Sequence, residues 1–156
     1  MKFLMARVKK VMLTKVPTLK KEAKIEEAAK LLTSTENGCV VIVENGAPVG
    51  IVTELDYVRN LTSGKSLKGP VTKIMSSPVN SMTPKTKLDE ALKIIDTKRY
   101  RKYPVVENNK LVGLVTKNDV VHAMSDEMKF HRNIQNAVLI IFVLFELFVF
   151  AFNTIL

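Results

Sequence analysis

The chain contains no tryptophan, a single cysteine and two histidines. One thiol, Cys39, excludes an intramolecular disulfide framework and points to a reducing setting. The isolated His122 and His131 give no metal-ligand spacing. No Ser/His/Asp or Cys/His arrangement in a recognisable context is present, and no GxxxxGK[ST] loop, so nothing in the sequence argues for catalysis. Acidic side chains are also short in number, 15 against 24 Lys and Arg, for a formal charge of +9. Beyond Arg132 the one charged residue is Glu146, so the first 132 residues carry 9 + 1 = +10. Such a field attracts anions: nucleotides, nucleic acid or acidic lipid surfaces. The opening MKFLMARVKK lacks an apolar run of secretory length before Lys9 and Lys10, so no export signal is expected there.

What the sequence does have is a repeat. Its 156 residues leave room for one compact domain or two very small ones, and 47% hydrophobic residues are enough for a core. Shifted by 63 positions, residues 8–61 align with 71–124 without a gap, giving 17 identities in 54 pairs. The matches include Val8 with Val71, Met12 with Met75, Glu27-Ala28 with Glu90-Ala91, and GIVTELDYV from Gly50 with GLVTKNDVV from Gly113. A repeat of this kind sets the fold before any local reading does.

Within each copy the hydrophobic periods are distinct. Ile25, Ala28, Ala29 and Leu32 recur at helical spacing, as do Leu88, Ala91, Leu92 and Ile95. Val40 to Val43 and Val49 to Val52 flank the turn Glu44-Asn45-Gly46-Ala47, which predicts a hairpin. Tyr103 to Val106 and Leu111 to Val115 flank Asn108-Asn109 in the same way. A short strand is expected at Val16 to Leu19 and again at Val79 to Met82, and a closing helix after Thr53 and after Thr116, the second running to about Ser125. The fold class is therefore α/β (mixed α+β): tandem β-α-β-β-α units, at residues 5–62 and 71–126, packed as a pseudo-symmetric pair. A polar linker spans 63–70, and residues 127–156 form a hydrophobic C-terminal helix. One unit of roughly 55 residues would bury only about 60% of its surface, so the two are expected to pack together.

Two such units, opening with KVM and KIM and each closing with Gly-apolar-apolar-Thr-x-x-Asp, resemble the cystathionine β-synthase (CBS) domain pair, or Bateman module, over about residues 5–125. The stretches GCVVIVENGAPVGIVTELD and KYPVVENNKLVGLVTKND carry the likeness most specifically. The resemblance implies a non-catalytic regulatory module that binds adenosine-containing ligands (AMP, ADP, ATP, S-adenosylmethionine or NAD) in clefts between the units. It implies a homodimer and a regulated partner protein, with no cofactor beyond the nucleotide.

Thr53-x-x-Asp56 and Thr116-x-x-Asp119 each fit a capping box, which needs no ligand. A carboxylate also suits a ribose diol and a helix N-terminus suits phosphate, so one geometry can serve both ends. By position in the motif, Thr53 and Asp56 would serve one cleft and Thr116 and Asp119 the other. By the resemblance, Val16 to Thr18, Val79 to Ser81, Ile51-Val52, Leu114-Val115 and Arg101 to Pro104 (Arg101, Lys102, Tyr103, Pro104) would line the adenine pockets, with core packing the alternative for each apolar position. The segment KRYRKYPVV supplies Lys98, Arg99, Arg101 and Lys102, absent from the matching TENGCVVIV. That contrast favours the cleft of Asp119 for an anionic nucleotide and leaves Asp56 as the one that is only a cap.

The tail Ala137 to Leu156 is apolar apart from Glu146, Asn153 and Thr154, and as a helix it would measure about 30 Å, the thickness of a bilayer core. Lys129, His131 and Arg132 precede it, as expected for an anchor that holds the rest on the cytoplasmic side. The rivals are a soluble assembly helix, a nucleic-acid-binding protein that uses the basic surface, and an adaptor with vestigial clefts.

Overall fold

A computed structural model of the protein describes residues 6–35, 37–98 and 100–155, with Glu127 and 152–155 by backbone alone. The first copy contains β1 (Thr18–Lys20), α1 (Ile25–Ser34), β2 (Cys39–Glu44), β3 (Ala47–Thr53) and α2 (Glu54–Thr62); the second contains α3 (Leu88–Lys98), β4 (Lys102–Glu107), β5 (Lys110–Thr116) and α4 (Lys117–Ile155). Short 3-10 helices at Val8–Lys10 and Val71–Lys73 open the two copies. In the first copy β1 pairs parallel to β2 and β2 antiparallel to β3, while β4 and β5 form a two-stranded antiparallel ladder.

The hairpins turn through residues with positive φ, Asn45 at 52° and Gly46 at 85°, then Asn108 at 50° and Asn109 at 59°. Two such residues in succession match the twist of the flanking strands. Each ladder carries a register shift at the same repeat position, between Ile42 and Val43 and between Val105 and Val106. Strand β2 reads CVVIVE without alternation because both its faces are buried. Val40 and Ile42 pack with Ile25, Ala28 and Leu32 of α1. Cys39 and Val41 face the other way, against Leu114 of β5 with Leu13, Val16 and Ile51 around them. Each large aliphatic side chain so enclosed contributes roughly 1.5–3 kcal/mol.

The opening segment of each copy is built into the other copy. Leu13 bridges Leu114, and its repeat mate Ser76 bridges Ile51. The Val8 amide donates to the Thr86 carbonyl at 2.9 Å, and the Val71 amide to that of Ala23 at 2.7 Å. Ile25 N donates to Gly69 O and Leu88 N to Ala6 O, both at 3.0 Å. These three pairs of contacts superpose on one another under the 63-residue shift, so the pair is pseudo-symmetric down to individual backbone hydrogen bonds.

The copies differ at the expected strand Val79 to Met82, which is reduced to one bridge between Met82 and Val105. In the first copy, where β1 begins at Thr18 rather than Val16, the Val41 amide donates to Pro17 O at 2.9 Å. Pro104 occupies the place of Val41 and has no N–H to give to Asn80, so the ladder cannot extend. The helix after Thr116 does not end near Ser125: α4 continues from Lys117 to Ile155, there being no glycine after Gly113 and no proline after Pro104 to stop it. From Val138 to Phe150 every apolar side chain of α4 is exposed. The helix is long and apolar enough to cross a membrane by length and composition. Arg99, and the ends of the expected spans at Met5 and Leu156, lie outside the described residues.

Candidate functional site

The repeated motif starts with a glycine because a methionine from the other copy lies on it. A Cβ on Gly50 would sit 2.4 Å from Met75 Sδ. One on Gly113 would sit 2.8 Å from Met12 Sδ and 2.9 Å from the Leu13 carbonyl oxygen. Neither glycine has a positive φ, so the requirement is close approach and not backbone conformation. The contact fixes the start of each motif against the opposite copy, which places the Thr and Asp that follow at a junction between copies.

At the first junction Asp56 is a buried carboxylate, 7% exposed, with three donors. Its Oδ2 accepts from the Thr53 amide at 2.7 Å and the Thr53 hydroxyl at 2.6 Å. Its Oδ1 accepts from Ser76 Oγ at 3.1 Å. The first two bonds cap α2 and place negative charge at its positive end. The third comes from the second copy. At the second junction Asp119 Oδ2 accepts from the Thr116 amide at 2.8 Å, and its own amide donates to Thr116 Oγ1 at 3.2 Å. Leu13 stands where Ser76 stands in the first, so Asp119 Oδ1 receives no hydrogen bond from the described residues. Both carboxylates therefore cap helices, and Asp56 alone is braced from across the junction.

A cleft of about 1070 Å³ opens over Asp56. Ile51, Thr53 and Asp56 line it from the first copy, and Val79, Arg101, Lys102 and Pro104 from the second. The basic segment was expected at the cleft of Asp119. The structure places Lys98, Arg101 and Lys102 with Asp56 instead, together with Arg59 of α2. The exchange of opening segments is the cause: each motif faces the other copy's strand start, not its own. Four cations against Glu54 and Asp56 leave the lining net positive, and among the described residues none of the four is ion-paired. Lys102 Nζ donates to the carbonyls of Asn37 at 2.5 Å and Gly38 at 2.7 Å, tying the second copy to the turn before β2.

The other expected lining residues fall elsewhere. Tyr103 is fully buried, because neighbours in a strand face opposite ways and Lys102 and Pro104 take the cleft side. Burial pushes its phenol pKa up. Leu114 and Val16 belong to the apolar cluster between the hairpins, together with part of Ile51. Ser81 is exposed and does not line the cleft over Asp56; Thr18, at the same repeat position, is exposed too. The sequence reading missed Ser76, Met75 and Arg59, whose roles arise from contacts between copies. A signal for Arg59 existed: it lies one turn beyond Asp56 on the same helix. Cys39 is buried, and burial raises its thiol pKa against the opposing effect of Lys102, consistent with an inert side chain.

Two interlocked repeats, each presenting a capped Thr-x-x-Asp helix start to the other, define a tandem module of paired half-sites. The chain belongs to the CBS domain family, whose sequence model matches residues 8–63 and 71–126. The CBS domain-containing protein YhcV of Bacillus subtilis (strain 168) is 34% identical over 125 residues, covering 79% of this chain and 89% of that protein. A 17.7 kDa protein of Acidianus ambivalens is 33% identical over 122 residues, 77% of this chain and 74% of its own. Among solved structures, the CBS domain pair of protein MJ0100, in complex with 5′-methylthioadenosine and S-adenosyl-L-methionine, superposes with a TM-score of 0.72 at 26% identity, covering 79% of this chain and 98% of that one.

Proposed function

We propose that the chain is a non-catalytic regulatory module that binds an adenosine-containing ligand in the cleft over Asp56 and passes the occupancy on to a partner protein. The observation that carries the reading is the convergence of a buried, helix-capping carboxylate with Arg59, Lys98, Arg101 and Lys102 in one cleft. A carboxylate accepts from vicinal ribose hydroxyls, and guanidinium and ammonium groups neutralise phosphates. Asp56 with Thr53 and Ser76 would take the ribose, the cations the phosphates, and Ile51, Val79 and Pro104 the flat faces of the base. The adenosine ligands of the MJ0100 pair support the choice of ligand class. The Asp119 junction, with no basic segment beside it, would take a ligand of lower charge.

The exposed Leu55, Val58 and Leu61 recur at i, i+3 and i+6 along α2, forming the face on which a second copy would dimerise. The exposed apolar length of α4 would hold the module to the cytoplasmic face of a membrane.

The test is calorimetry of the full chain in detergent micelles with AMP, ATP and S-adenosylmethionine. Binding that Asp56→Ala and Arg101→Gln weaken at least tenfold supports the reading, as does a preference for ATP that falls with salt. No heat and no thermal shift with any of the three would overturn it.

A further inference from the structure

We infer that the C-terminal part of α4 is a self-association helix, pairing with the same segment of a second copy through a face centred on Glu146; this rests on the membrane reading above. Four residues between positions 135 and 153 are polar: Gln135, Asn136, Glu146 and Asn153. At 3.6 residues per turn, Gln135 and Asn153 are five full turns apart, and Glu146 falls within about 20° of both, whereas Asn136 lies about 80° away. Three of the four polar positions thus share one narrow stripe of α4, with Leu139, Phe142 and Phe150 between them.

The depth of these positions is as informative as their direction. Glu146 lies about 16 Å along the axis from Gln135, and Asn153 about 10 Å further, so a core of about 30 Å puts Glu146 near its middle and the other two near its edges. Gln135 and Glu146 are exposed, and so is every large apolar side chain from Val138 to Phe150. A carboxyl group facing lipid at mid-depth is costly, roughly 2.5–3.5 kcal/mol on insertion scales, and such groups turn toward another helix. The partner that fits is a second copy. Two chains anchored from the same side insert in parallel, so Gln135 and Glu146 each meet their own counterpart at equal depth across a two-fold axis. A carboxyl in its acid form and an amide can each both donate and accept, which suits Glu146 and Gln135 to pairing with their own kind.

Full-length chain carrying donor or acceptor dye at its N-terminus is reconstituted in phosphatidylcholine vesicles, and energy transfer is followed against the protein-to-lipid ratio. Flotation of the same samples reports anchoring. Glu146→Leu should float as the parent does and need a roughly tenfold higher ratio for half-maximal transfer. Glu146→Gln should behave as the parent, since an amide both donates and accepts, and so should Leu144→Ala on the opposite side. The series is repeated with Val58→Glu, so that contact through α2 does not mask the tail. Flotation with transfer unchanged by Glu146→Leu in both backgrounds overturns the pairing and leaves the anchor. A chain that does not float overturns the anchor and the pairing with it.

Discussion

Ser76 of the second repeat donates a hydrogen bond to Asp56 Oδ1 of the first at 3.1 Å, and the mirror position holds Leu13, whose side chain has no donor. The two junctions therefore differ in how firmly the carboxylate is held. Ser76→Ala should lower stability by about 1.5–3 kcal/mol, the range for a hydrogen bond to a charged group. In a urea double-mutant cycle it should couple with Asp56→Asn and be additive with Asp119→Asn. Equal coupling to both aspartates would mean that the bond is not what distinguishes the junctions.

The two motif glycines should not tolerate alanine alike. The three atoms nearest a Cβ on Gly50 all belong to the Met75 side chain, whereas a Cβ on Gly113 also meets the Leu13 carbonyl at 2.9 Å. A thioether can swing aside and a backbone oxygen in a bridge cannot. Gly113→Ala should cost about 1–3 kcal/mol, the range for overpacking. Met12→Ala should not relieve it, while Met75→Ala should relieve Gly50→Ala. Equilibrium unfolding of the four single and two double variants decides this.

Pro104 accounts for the missing strand in the second copy. With Pro104→Val a donor is restored opposite Asn80, as Val41 has opposite Pro17. Hydrogen exchange should then show the amide of residue 104 protected to the same degree as that of Val41. Exchange at the rate of an open loop would mean that something other than the absent donor keeps the strand short.

Burial raises the pKa of both the Cys39 thiol and the Tyr103 phenol, from ordinary values of 9.0 and 10.0. The fold keeps both neutral. Below the lower value the two states bind these protons equally and stability is flat. Above it the unfolded chain releases protons that the folded chain retains, so stability falls as pH rises from about 9. Cys39→Ala should flatten the part of this decline below pH 10, measured by urea midpoints at stepped pH. Disulfide exchange reagents should modify Cys39 at the rate of unfolding.

The repeat, the hairpins and the starts of the helices were legible in the sequence because each rests on local patterning: Ile25, Ala28 and Leu32 on one helix face, and Asn45-Gly46 at a turn. The Thr-x-x-Asp caps were legible for the same reason. Which copy supplies the rest of each site was not, because Ser76, Met75 and the Arg101–Lys102 segment meet Asp56 only after the opening segments have crossed over. Ranking Asp119 above Asp56 by the basic residues in its own repeat assumed that each copy completes its own site. Tyr103 was misplaced by one step of strand alternation, since its cleft-facing neighbours Lys102 and Pro104 leave it inside. The strand expected at Val79 failed on a single absent N–H, at a proline 25 residues further along the chain.

Because Leu13 completes the second hairpin and Ser76 the first, the unit of folding is not the unit of duplication. A cut in the polar segment near Gly64 would separate two fragments that each lack an edge and each carry the edge the other needs. Such halves should find one another in trans. A single half kept alone has one ready substitute, another copy of itself, and an ancestral unduplicated chain of this design would have been an obligate pair from the start.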